Sequence, residues 1–148
     1  MSELLEDFQT RIDTFAKHQE FAELARSMSD RFSAEVIEKV AGEHEGTALE
    51  LATELMMCTA DVEARIAELQ AEKDGILGGH EDVQMAIEEL DLRLAIEEIT
   101  EKEYKKEKKG HEAAIADDLM TVAGLDGELD PLVEQFTRWN ELGHRAGV

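Results

Sequence analysis

Few residues in this 148-residue chain have the types and spacing that chemistry needs. Glu43, His44 and Glu45 stand between Gly42 and Gly46, a grouping suited to a metal ion or to a histidine charge switch. A metal would require more ligands converging from elsewhere, and a solvated turn accounts for the same residues. Glu141 and His144 form the only E-x-x-H in the chain, whereas a di-iron helical bundle needs two such motifs plus a glutamate from each of two further helices. From Leu125 to Asp130 the run LDGELD spaces its acids like a calcium loop. Pro131 then falls where the loop's glycine belongs, and Thr137 where its closing glutamate belongs. Cys58 is the only cysteine, which excludes an internal disulfide and a cysteine-built zinc site; its apolar setting beside Met56 and Met57 marks an inert core thiol. No phosphate loop, nucleophile elbow or H-E-x-x-H occurs. The expectation is a protein without catalytic residues, metal or cofactor, and not an enzyme.

Charge says more. Fifteen Lys and Arg face thirty-six Asp and Glu, a formal net charge of −21. Such a field repels a phosphate backbone, so direct nucleic-acid binding is not expected, and it disfavours an anionic membrane surface while attracting a basic protein partner. Five lysines nevertheless gather in EKEYKKEKKG, residues 101–110, interleaved with three glutamates. Local charge compensation within a helical hairpin or across a subunit contact is their expected role, each exposed pair contributing about 0.2 to 1 kcal/mol. The start MSELLEDF has no basic region followed by an apolar run, and no stretch approaches the ~20 apolar residues of a membrane span; a cytoplasmic protein is expected.

The elements that carry these residues are helical. One proline, 5% aromatic residues and abundant Ala, Leu and Glu imply an all-α fold, an elongated helical bundle or antiparallel coiled coil of about four to five helices. Leu5, Phe8, Ile12 and Phe15 define a first amphipathic helix over 3–28, capped by Ser2, with a break in 27–33. A seven-residue spacing then runs Ala34, Ala41, Ala48, Leu55, Val62, Leu69, Ile76, accompanied by Ile37, Leu51 and Cys58. Gly42 and Gly46, with a T-x-x-E capping pattern at Thr47 and Glu50, predict a kink and a fresh helix over 48–77, ended by Gly78 and Gly79. The next helix, 81–98, has one apolar seam at Val83, Ile87, Leu90 and Leu94 and another at Met85, Leu92, Ile96 and Ile99, which implies neighbours on two sides. Thr100 and Glu103 form a capping box that starts a helix at Glu101. Residues 124–130 read as a linker between a domain of 1–123 and a tail of 131–148, whose short helix is capped by Asp130, opened by Pro131 and faced with Leu132, Val133, Phe136 and Trp139.

Leu90, Leu94, Ile99-Thr100, Glu103-Tyr104 and Lys108 together resemble a SHOCT-type short helical hairpin over residues 90–109, in its leucine spacing, its I-T-x-x-E-[FY] turn and its following lysine. Glu97 stands where that family has glycine and His111 where it has leucine. The resemblance implies a segment that promotes oligomerisation. From the residues themselves the expected function is a non-enzymatic helical adaptor or scaffold and homo-oligomer. Self-association would use Leu51, Leu55, Val62, Leu69, Leu90, Leu94 and Ile99, and Phe136 and Trp139 would meet a protein partner. The alternative is an acidic inhibitor, decoy or chaperone that holds a basic partner.

Overall fold

The computed structural model describes residues 2–147 and contains three helices: α1 (Glu3–Arg26), α2 (Ala34–Ala95) and α3 (Glu101–Arg145). No strand occurs among the described residues. The all-α class is as expected, but three helices replace the four to five read from the sequence. The expected breaks at 42–46 and 78–79 lie inside α2, and the expected linker 124–130 lies inside α3, with Pro131 a helix-interior residue. Each glycine costs a helix about 1 kcal/mol relative to alanine. Steps of three and four that continue on both sides outweigh that cost. Ala41 and Ala48 are buried across the first pair of glycines, and Val122, Leu129 and Leu132 are buried across the third interruption.

The ends were placed more closely by the sequence. Ser2 caps α1, its Oγ accepting from the Leu5 amide at 3.3 Å. Ser33 begins α2 in the same way, its Oγ accepting from the Val36 amide at 3.4 Å, and Thr100 begins α3 by accepting from the Glu103 amide at 3.2 Å.

Two compact units divide the chain: Met1–Ile66 with Asp130–Val148, and Ala67–Leu129. The first is a three-helix bundle. Its buried side chains include Leu5, Phe8, Ile12 and Phe15 of α1, Ala41, Ala48, Ala52, Leu55 and Val62 of α2, and Leu132 and Trp139 of α3. Alanines on α2 admit the bulky phenylalanines and tryptophan of its neighbours, so large and small side chains interdigitate. Of the segment expected as a tail, Leu132 and Trp139 are buried in this unit, and its helix is the continuation of α3.

The second unit is an antiparallel hairpin of α2 residues 67–95 and α3 residues 101–129. Partners fall in number on one helix as they rise on the other: Lys73 with Asp126 at 2.8 Å, His80 with Asp118 at 3.2 Å, and Asp91 with Tyr104. Two helices bury one stripe each, so Leu69, Leu90, Val122 and Leu129 are buried here, while Ile76, Val83, Ile87, Leu94 and Ile115 are half-buried.

Candidate functional site

The residues expected to mediate self-association are spent largely on the chain's own packing. Leu55, Val62 and Leu69 are fully buried and Leu90 nearly so, whereas Leu51, Leu94 and Ile99 are half-buried. Trp139, expected to reach a partner, is buried with its ring edge-on to Phe15 at a centroid separation of 5.1 Å. An aromatic pair of this geometry adds about 0.5–1.5 kcal/mol beyond area burial. Trp139 is therefore an internal anchor, because Phe15 offers it an apolar partner that the solvent does not. Phe136 beside it is half-buried.

The residues weighed for chemistry do not converge. Among the described residues no group of three or more His, Cys, Asp or Glu is placed to hold a metal ion. Glu43, His44 and Glu45 lie in mid-helix rather than in a turn. His44 Nδ1 meets His18 Nδ1 of α1 at 2.9 Å, and Phe21 lies against both rings, with centroids 5.1 Å from His44 and 6.4 Å from His18. One ring must donate and the other accept, so a single proton sits between them. Glu45 is engaged by Arg26, whose Nε donates to its Oε1 at 2.7 Å while Nη1 donates to Glu38 Oε2 at 2.9 Å. These hydrogen bonds hold the Glu38 carboxyl below its usual value and raise the Arg26 guanidinium. His44 and Glu45 thus fasten α2 to α1, while Glu43 is exposed. In the same unit an open groove of about 610 Å³ follows the end of α3, floored by Phe15, Ala22, Ala48, Leu49 and Leu142.

The hairpin unit carries the more informative surface. Met85 and Leu92 stand two residues beyond Val83 and Leu90, about 200° around the helix from the seam, and so point away from α3. Their exposures are 67% and 62%, and Ile96 at the same edge is 63% exposed. Exposed Glu81, Asp82, Glu88 and Glu89 flank this stripe. α3 has the opposite character. Lys106, Ala113 and Met120 stand two residues beyond the seam positions Tyr104, His111 and Asp118, and so face away from α2, with Lys102, Lys105 and Lys109 and the acids Glu103 and Asp117 exposed around them.

Local compensation, the role expected for the five lysines, is met by one of them. Lys108 lies over the Tyr104 ring at 5.4 Å and 4.0 Å from Glu112. Its ammonium is held above its usual value, foremost by hydrogen bonding to Tyr104 and further by Glu112 and Asp91. Lys102, Lys105, Lys106 and Lys109 make no ion pair with any described residue. The signal for the α3 seam was present in the sequence as steps of four and three from Tyr104 through Lys108, His111, Ile115, Asp118, Val122, Leu125 and Leu129 to Trp139. Polar residues at four of the first five positions concealed it.

Comparison with protein-family models, with curated proteins and with solved structures finds no match for this chain.

Proposed function

We propose that the protein is a non-enzymatic helical scaffold or adaptor that acts through self-association and protein contacts. The observation that carries this reading is the stripe of Met85, Leu92 and Ile96 on a two-helix unit, three large apolar side chains about two-thirds exposed on the side away from α3. Fully burying such a side chain contributes about 1.5–3 kcal/mol, and a second chain supplies that burial. The SHOCT-like turn at 90–109 supports the same reading, since Leu90 and Leu94 lie on the seam of this hairpin and its oligomer-promoting resemblance falls at its tip. Relative to the residues expected from the heptads, the proposed contact shifts outward, from Leu55, Val62 and Leu69 to Met85, Leu92 and Ile96.

Light scattering after size exclusion on the wild type and on a Met85→Asp, Leu92→Asp double variant tests the proposal. The wild type is expected above the 16.6 kDa of one chain and the variant at that mass. Equal masses for the two proteins would remove the stripe from the contact. A second reading, the acidic holder of a basic protein, is supported by the net charge of −21 and predicts partner binding that weakens steeply with salt.

A further inference from the structure

The two outward faces of the hairpin differ in kind. The α2 face is apolar and bordered by carboxylates: Met85, Leu92 and Ile96 with Glu81, Asp82 and Glu88. The α3 face bears four lysines for which no ion pair is found among the described residues, with the exposed carboxylates Glu103 and Asp117 beside them and small residues and the exposed Met120 following, so its net charge is positive. The faces lie on opposite sides of the same hairpin, because each points away from the helix that carries the other. A symmetric dimer built on the α2 face would bring two net-negative surfaces together, and one built on the α3 face two net-positive surfaces, and either is opposed by that net charge. The pairing of unlike faces combines apolar burial with opposite net charge. A pairing of unlike faces leaves one of each free and continues, closing into a ring or extending as a filament.

We propose that copies of this chain assemble head to tail, the acid-bordered apolar face of α2 in one copy seating on the lysine face of α3 in the next. The inference rests on the self-association reading and goes further by naming the partner surface and its direction. It also gives the unpaired lysines of an acidic chain their counter-charge: the next copy's Glu81, Asp82 and Glu88. Small residues on the α3 face, Ala113 and Ala116, leave room for Met85 and Leu92 of the incoming helix to approach closely.

A charge exchange between two variants tests this. One variant carries Lys102→Glu, Lys105→Glu, Lys106→Glu and Lys109→Glu; the other carries Glu81→Lys, Asp82→Lys and Glu88→Lys. All seven positions are exposed, so each variant keeps its fold, which unchanged helical circular dichroism verifies. Sedimentation velocity of the wild type should give species beyond the dimer that grow with concentration. Each variant alone should lose them, and an equimolar mixture should regain them, since every contact in an alternating assembly again joins unlike charges. Wild-type assembly that stops at a dimer, variants that assemble undiminished, or a mixture that stays dissociated would each overturn the head-to-tail pairing while leaving self-association intact. A wild type that sediments as a single chain at every concentration would overturn the self-association reading itself.

Discussion

Glu97 occupies a conformation that its side chain does not favour. Its φ of 62° is the only positive value at a non-glycine residue among the described positions. It is the residue after the α2 C-terminal cap: the Glu98 amide donates to Arg93 O at 2.9 Å and the Glu97 amide to Leu94 O at 3.0 Å, the two bonds of a Schellman turn. An L-residue in this region costs about 1–2 kcal/mol. The ion pair of Arg93 with Glu98 offsets part of that by fastening the turn from its two ends. Glu97→Gly should therefore stabilise the chain by up to about 1 kcal/mol, the relief of strain being partly cancelled by the entropy of glycine in the unfolded state. Chemical denaturation measures it, and a loss of stability would mean that the Glu97 side chain makes a contact worth more than the strain. The helix-start caps at Ser2 and Thr100 were legible in the sequence because capping is local. Glu97 was legible only as the place where the resembling family has glycine, and the meeting of His44 with His18 was not legible at all, since nothing local encodes a partner twenty-six residues away.

Element boundaries were the least legible part of the fold, for one physical reason. Glycine and proline report what a helix costs locally, whereas continuity is decided by burial that other segments supply. Pro131 is the sharpest case. It was read as the first residue of a new helix, yet α3 extends from Glu101 to Arg145 around it. Proline in a helix interior removes one backbone hydrogen bond and costs about 3 kcal/mol relative to alanine. Leu129 and Leu132, both buried, bracket it and hold the helix together. Pro131→Ala should raise stability by about 1–2 kcal/mol, because the recovered helix bond exceeds the gain in unfolded-chain entropy of about 0.4–1 kcal/mol. A urea midpoint that moves downward would instead assign the proline ring an indispensable packing role. The amphipathic run of α1 and the heptads of α2 were legible because their apolar residues recur without interruption. The lower half of the α3 seam was hidden because Lys108, His111 and Asp118 occupy its positions, and what those residues meet, such as His80 opposite Asp118, becomes visible only when α2 is laid beside α3.

At the scale of the whole molecule, a formal charge of −21 opposes association, and the distribution of charge decides whether association occurs at all. Four lysines that form no ion pair with the described residues, and three large apolar side chains bordered by carboxylates, mark unlike faces of one hairpin. The all-helical class was legible from composition. The contacting residues were not, because heptad periodicity does not distinguish a seam filled by the same chain from one that waits for another. Sedimentation velocity of the wild-type protein over a hundredfold range of concentration at low salt addresses self-association most directly. Species heavier than one chain, increasing in size with concentration, are the expected result. A single boundary at the mass of one 16.6 kDa chain throughout would contradict it.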